Sequence, residues 1–150
     1  MKTPRQDPDS VRVAALATDL RVLVSLLKRR LRDEAHAGDL TLSQMAVIGR
    51  LEREGPATVT TLAHAEGMRP QSMGATISTL QAAGLVSGAP DPNDGRQIIL
   101  SITPACESLL EVRRAEREDW LCRAMQTKLS AQEQEQLAIS VALLRRLAEP

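Results

Sequence analysis

The chain has 150 residues, about the length of one ordinary domain, so a single hydrophobic core is expected. Nineteen basic residues balance nineteen acidic ones, so an anionic partner must be bound by a local patch and not by the charge of the whole molecule. Phe and Tyr are absent and Trp120 stands alone, which excludes aromatic stacking as a way of binding single-stranded nucleic acid or sugars.

The N-terminal third is predicted to contain two helices. Residues 1–9 include two prolines and show no apolar period, which is typical of a frayed arm. From residue 10 to about residue 36, leucines and valines recur at spacings of three and four, which predicts a long amphipathic helix ended by residues 37–39. Thr41 and Gln44 have the spacing of a capping box and begin a second helix, which Gly55 and Pro56 end.

Residues 58–84 are predicted to form a helix-turn-helix. A short helix over residues 58–66 is followed by Gly67 and then by a helix that begins near Pro70 and is closed at Gly84. Ala63 supplies the small side chain that lets two helices cross closely, and Gly67 supplies the turn between them.

After Gly84 the apolar period changes from helical to alternating. Strands are predicted at residues 85–87 and 97–102, and the turn-rich segment 90–95 joins them as a β-hairpin. Thr103 and Pro104 begin a long helix to about residue 127, and a capping box at residues 130–133 begins a last helix. The predicted fold class is therefore mainly α with one small β-hairpin.

The second helix of the helix-turn-helix has a small, polar outward face. Its apolar residues fall on one side at 100° per residue, which leaves Gln71, Ala75 and Ser78 opposite them, flanked by Ser72 and Thr79. Short hydrogen-bonding side chains suit insertion into a DNA major groove, where the amide of Gln71 can bind adenine. The same residues also suit a helix face that is only solvated, and the face alone leaves both interpretations open.

Arg96 follows the hairpin tip, where it can reach a minor groove or a phosphate, and Asp94 can hold its guanidinium in place. The alternative is an ordinary turn aspartate followed by a strand-end arginine. Arg69 is expected to contact phosphate, as are the helix starts at Thr58 and Ser72. Residues 57–104 hold two basic and three acidic side chains, a net charge of −1, so we expect modest and strongly salt-sensitive DNA binding.

Three segments resemble the MarR family of bacterial transcription regulators. Residues 80–86 (Leu-Gln-Ala-Ala-Gly-Leu-Val), 91–96 (Asp-Pro-Asn-Asp-Gly-Arg) and 100–103 (Leu-Ser-Ile-Thr) are similar to the family's end of recognition helix, wing and return strand. The resemblance extends over about residues 11–148 and implies one winged helix-turn-helix region at about 41–102. It implies a helical dimerisation layer from about 11–36 and 103–150, and Arg96 as the wing-tip arginine with Asp94 as its partner. Unlike many family members, the chain has no arginine at Ala75 or Thr79.

That resemblance implies a function as a sequence-specific DNA-binding regulator. We expect a homodimer on a pseudopalindromic operator, acting as a repressor that an unidentified small molecule relieves. The terminal helices favour a dimer independently, because helices about 40 Å long would expose apolar stripes unless a second subunit covered them. The alternative is a winged-helix interaction module that no longer binds DNA.

Other kinds of site have little support in the sequence. Cys106 and Cys122 lie about 24 Å apart on one predicted helix, too far for a disulfide. We expect them to be buried small apolar residues, and an oxidation switch is the less favoured alternative. His36 and His64 lack neighbours at metal-ligand spacing, and no catalytic set is visible, so we expect neither a metal, nor a cofactor, nor an enzyme. No export signal or membrane span is recognised, which favours a cytoplasmic protein.

Overall fold

A computed structural model describes residues 8–35 and 40–150. The described residues form six α-helices and one antiparallel hairpin, in the order predicted from the sequence. The elements are α1 (Pro8–Glu34), α2 (Leu42–Glu54), α3 (Val59–Ala65), α4 (Pro70–Ala82), β1 (Val86–Pro90), β2 (Ile98–Ile102), α5 (Pro104–Lys128) and α6 (Ala131–Ala148).

Helix α1 begins at Pro8, two residues earlier than its period predicts. Proline is tolerated in the first turn of a helix because the N–H that it lacks would have no partner there. Asp9 adds a negative charge to the same turn, where the helix dipole favours it. The predicted end of this helix, at residues 37–39, lies outside the described residues.

Both predicted capping boxes are confirmed. The Gln44 N–H donates to the Thr41 hydroxyl at 3.2 Å, and the Thr41 N–H donates to the Gln44 side chain at 2.8 Å. Ser130 and Glu133 make the same reciprocal pair at the start of α6. The hydrogen bond from the Ser130 N–H lowers the pKa of the Glu133 carboxyl. These caps satisfy main-chain donors that the helix itself leaves unpaired.

The chain divides into two compact units. The terminal-helix unit comprises Met1–His36 and Glu116–Pro150, and the lobe comprises Ala37–Ala115. The lobe has a continuous apolar core to which α2, α3, α4, both strands and the start of α5 contribute. Its buried members are Val47, Ile48, Leu51, Leu62, Ala63, Met73, Ile77, Leu80, Val86, Leu100, Cys106 and Leu110.

The hairpin pairs β1 with β2 from Val86 opposite Ile102 to Pro90 opposite Ile98. Pro90 therefore ends a strand, although the sequence pattern places it in the turn; proline is acceptable there because the strand end needs no further N–H donor. Main-chain hydrogen bonds of 3.1 and 2.9 Å join Ala57 to Leu100 on the other edge of β2. The wing is thus attached to the segment that precedes α3.

The terminal-helix unit has no comparable core among its described residues. No residue of α1 or α6 is buried. Large apolar side chains on these helices are between 39% and 75% exposed: Val11, Val13, Leu16, Val22, Leu23, Val24, Leu26, Leu27, Ile139, Val141, Leu143, Leu144 and Leu147. The guanidinium of Arg30 lies over the ring of Trp120, 5.7 Å from its centroid. Even so, no described helix combines the length and hydropathy of a membrane span.

The location of the core predicts the effect of two matched leucine truncations. Leu62 is fully buried, and we expect Leu62→Ala to lower the free energy of unfolding by about 2–5 kcal/mol because it leaves a cavity. Leu42 is 69% exposed, and Leu42→Ala should change the same quantity by less than about 0.5 kcal/mol. Urea unfolding measures both; equal losses would contradict the assigned core.

Candidate nucleic-acid interface

Helices α3 and α4 form the helix-turn-helix that the sequence predicts. Ala63, at the crossing of the two helices, is 1% exposed, so a larger side chain would have no room. Gly67 has a φ of 63°, a left-handed conformation that favours glycine. The Met68 N–H donates to the Ala63 carbonyl at 2.8 Å and closes the turn. The predicted roles of Ala63 and Gly67 are confirmed.

An ion pair that sequence reasoning missed holds this turn against α2. The Arg50 guanidinium donates to Glu66 and to Glu54, each at 2.6 Å. Glu66 is the C-cap residue of α3, and the side chains of Arg50 and Glu66 are only 24% and 20% exposed. The hydrogen bond to Glu66, followed by that to Glu54, raises the pKa of Arg50. Only the fold brings Arg50 and Glu66 together, because sixteen residues separate them.

The outward face of α4 is exposed as predicted. Met73, Ile77 and Leu80 are buried in the lobe core, whereas the opposite side carries exposed residues that share small size or polarity: Gln71, Ser72, Ala75, Ser78 and Thr79. This face of α4 contains no charged side chain, so its chemistry consists of one amide, hydroxyl groups and methyl groups.

Three hydroxyl groups on α4 donate hydrogen bonds to main-chain carbonyls of the same helix. Thr76 donates to the Ser72 carbonyl at 3.2 Å, and Thr79 donates to the Ala75 carbonyl at 3.1 Å. Ser78 donates to the carbonyl of Gly74 at 2.9 Å. Each of these hydroxyls has therefore used its one hydrogen, and its oxygen lone pairs remain as acceptors.

Arg69 occupies the N-cap position of α4 and makes no side-chain cap hydrogen bond. Its side chain is exposed, and no ion pair involves it within the described residues. Gln71 and Ser72 follow in the first turn of the helix. An unpaired cation and two exposed polar side chains thus stand together at the start of α4.

At the wing tip, Asp94 is a turn aspartate and does not form the expected ion pair with Arg96. Asp94 accepts the main-chain N–H of Arg96 at 3.1 Å and the side-chain amide of Gln97 at 3.4 Å. No ion pair joins Asp94 to the Arg96 guanidinium in the described part of the chain. The aspartate therefore folds the turn, since carboxylates bond readily to N–H groups two residues ahead. The Arg96 guanidinium stays exposed and available.

A cleft of about 590 Å³ lies between the start of α3 and the tip end of the wing. Residues 58–61 line one side and residues 96–98 the other, so the structure brings together Thr58 and Arg96, which the sequence places far apart. The Thr58 hydroxyl accepts the Thr61 N–H at 3.1 Å and lies 2.9 Å from the Thr61 hydroxyl. Thr58 is thus an N-cap residue, as its position at a helix start predicted.

The five charged side chains of residues 57–104 differ in how available they are to a partner. Glu66, one of the three acids counted, is partly buried and pairs with Arg50, which lies outside that range and is shared with Glu54. The carboxylates of Asp91 and Asp94 both bond to main-chain N–H groups of the wing tip. Arg69 and Arg96 remain as exposed cations without ion-pair partners among the described residues.

Comparison with known proteins identifies the fold. The sequence model of the MarR family matches residues 38–97. The HTH-type transcriptional regulator Mb0904 of Mycobacterium bovis is 35% identical over 136 residues, which are 91% of this chain and 94% of that protein. The chain belongs to the MarR family of transcription regulators. The expectation that it is not an enzyme is confirmed, because these relatives are named as regulators.

Solved structures agree with this family assignment. A transcriptional regulator from Pseudomonas aeruginosa is 36% identical, with a TM-score of 0.74 over 97% of this chain and 99% of that one. A mutant of S. aureus MepR, solved with a bound oligodeoxyribonucleotide, has a TM-score of 0.65 over 89% of this chain and 98% of its own. At 18% identity it shows a shared fold. The predicted winged helix-turn-helix architecture of a MarR regulator is confirmed.

The two cysteines of this MarR protein lie in opposite environments. Cys106 is fully buried, as expected, and burial raises the pKa of its thiol. Cys122 is exposed, so the expectation of a buried small residue is wrong there; it belongs to the terminal-helix unit, where few described side chains are buried. No cluster of three metal-ligating side chains occurs among the described residues, and His36 lies outside them.

The burial of the thiols predicts their reactivity. At pH 8, Cys122 should react with a disulfide reagent about tenfold or more faster than Cys106, because the attacking species is an accessible thiolate. Cys106→Ser and Cys122→Ser variants assign the two phases of the absorbance change. Equal rates from the folded protein would contradict the environments described above.

The Arg50–Glu66 pair predicts a coupled effect on stability. Arg50→Met and Glu66→Gln should each lower the melting temperature, because each leaves one partner half-buried without its ion pair. The double variant should lose less than the sum of the two single losses. Arg53→Met, an exposed change on the same helix, is the control. Additive losses in a double-mutant cycle would contradict a direct interaction between Arg50 and Glu66.

Proposed function

We propose that this MarR protein is a homodimeric repressor that binds a pseudopalindromic operator through α4 and the wing. One observation carries the proposal: the core side of α4 is buried, whereas its opposite side is exposed and uncharged, and Arg69 stands at its start without an ion-pair partner among the described residues. Such a helix enters a major groove without repulsion from acidic side chains. The oligodeoxyribonucleotide bound to MepR, a protein of the same fold, agrees with duplex DNA as the partner.

Each predicted contact residue has a role in this proposal. Gln71 and the residues Ala75, Ser78 and Thr79 face base edges in the major groove. Arg69 and Ser72, at the start of α4, bind backbone phosphate. Arg96 enters the neighbouring minor groove or binds its phosphates, while Asp94 holds the main chain of the wing tip.

The cleft between α3 and the wing is proposed to receive one sugar-phosphate strand. Thr58 and Arg96 face it from opposite sides, and the exposed Thr60 also lines it. A surface of hydroxyl groups with one arginine suits a single sugar-phosphate strand, because hydrogen-bond donors position a phosphate without a high density of positive charge. The proposed DNA-binding surface of each lobe has two exposed arginines, Arg69 and Arg96, so few counterions are released and the affinity of one lobe alone is low.

The exposed apolar side chains of the terminal-helix unit support the proposed dimer. An apolar stripe over α1, which is 27 residues long, and over α6 is too large to leave in water in a stable protein. A second copy covers it in our proposal and links two lobes to half-sites about 34–36 Å apart. Because the operator is then held at two places, modest affinity per lobe is sufficient.

Repression and effector binding complete the proposal. A dimer on promoter DNA blocks polymerase, and a small molecule that favours a lobe spacing unsuited to the operator releases it. The effect of such a ligand is limited to its differential affinity for the two arrangements, about 1–3 kcal/mol. The effector itself is unassigned.

The proposed DNA contacts predict distinct effects for two neighbouring residues. Arg69→Ala should weaken binding to the DNA upstream of its own gene and to random duplex equally, and should reduce the salt slope by about one. Gln71→Ala should instead relax base preference by about 1–3 kcal/mol. Arg53→Ala, an exposed arginine of α2 that is not among the proposed contact residues, is the control. Fluorescence anisotropy at two salt concentrations measures all three, and no duplex binding at low salt would favour the interaction module.

The proposed interface predicts which exposed leucine matters for assembly. Leu144→Glu should convert the dimer to monomer, because it places a charge in the apolar surface of α6. Leu42→Glu changes a leucine of the lobe that is more exposed than Leu144, 69% against 40%, and should leave the dimer intact. Sedimentation equilibrium at micromolar concentration distinguishes the species. A wild-type monomer, or a monomer in both variants, would refute the interface.

A further inference from the structure

In the middle turn of α4, residues 75–79, the hydroxyl groups are already used as hydrogen-bond donors. This turn contains three hydroxyl groups, and all three donate to main-chain carbonyls of the preceding turn at 2.9–3.2 Å. Its other members are the exposed methyl of Ala75 and the buried Ile77. No side chain of the turn therefore retains a hydrogen-bond donor, and the exposed surface offers only acceptor oxygens and methyl groups.

Base pairs differ in how well they match such a surface. Guanine presents two acceptors, N7 and O6, in the major groove, and these would face acceptor oxygens of the turn. An A·T pair presents the donor N6 amino group of adenine and the methyl group of thymine. A G·C pair presents the N4 amino donor of cytosine but no methyl group. The A·T pair alone among unmodified pairs offers both a donor and an apolar partner.

We propose that residues 75–79 select A·T pairs at the centre of each half-site. Thymine methyl groups pack on Ala75 and Thr79, and adenine amino groups donate hydrogen bonds to the hydroxyl oxygens. This inference rests on the proposed function, which places α4 in the major groove. Gln71 stands one turn earlier on the same face with a free amide, so any bidentate base contact of α4 lies at that end of the site. The half-site centre is then read by methyl contacts and by single hydrogen bonds from adenine.

The experiment begins with selection of duplexes from a random pool by the intact protein. The enriched half-site is expected to hold consecutive A·T pairs at its centre. Replacing one central thymine by deoxyuridine removes only the methyl group and should weaken binding about fourfold for each contacted methyl. Replacing the pair by G·C should weaken binding further, and 5-methylcytosine in that pair should restore the methyl part of the loss.

A protein variant assigns the effect to Thr79. Thr79→Ser removes a methyl group and keeps the hydroxyl, so it should abolish the preference for thymine over deoxyuridine at one position. Thr127→Ser is the matched control, since Thr127 makes the same type of bond, to the Arg123 carbonyl at 2.8 Å, in the part of α5 that belongs to the terminal-helix unit. The control should keep the full preference.

Two results would overturn the inference while leaving DNA binding intact. One is equal affinity for thymine and deoxyuridine at every central position. The other is a central guanine whose replacement by 7-deazaguanine weakens binding, because that would require a donor from this turn. Failure of the protein to bind any duplex at low salt would overturn the proposed function and this inference with it, a result distinct from both.

Discussion

Met73, Ile77 and Leu80 pack the inner side of α4 into the lobe core, and this packing determines which residues the helix presents to a partner. At 100° per residue, burial of these three positions leaves Ala75, Ser78 and Thr79 outside. The wing depends on the same core, because Leu100 of β2 is buried in it while its main chain pairs with Ala57. One apolar cluster thus orients both elements of the proposed DNA-binding surface.

The exposed face of α4 has no arginine, so in the proposed complex its contacts contribute more to base specificity than to affinity. Hydroxyl and methyl groups discriminate between base pairs with little gain in electrostatic affinity. The missing attraction is partly offset because Arg50, although shared with Glu54, reduces the repulsion between Glu66 and a phosphate. The proposed dimer supplies the rest, since two weak lobes on one duplex bind far more tightly than one.

Local features of this chain could be predicted from the sequence, and features created by tertiary structure could not. The capping boxes, the glycine turn and the exposed face of α4 each depend on residues within a few positions of one another. The Arg50–Glu66 pair needs two helices to meet, and no spacing rule indicates it. For Asp94 the sequence leaves two interpretations open, and the structure favours the turn aspartate, because the main-chain N–H of Arg96 is a nearer donor than its guanidinium. Helical period also failed to separate the buried Cys106 from the exposed Cys122, because α5 extends from the lobe into a unit with few buried side chains.

The central claim is that two copies of this lobe place two α4 helices in successive major grooves of one duplex. A hydroxyl-radical footprint of the intact protein on a selected duplex tests it most directly. The account predicts two equivalent protected patches on one face of the DNA, with centres about one helical turn apart. A single patch, or protection that extends without symmetry along the duplex, would contradict it.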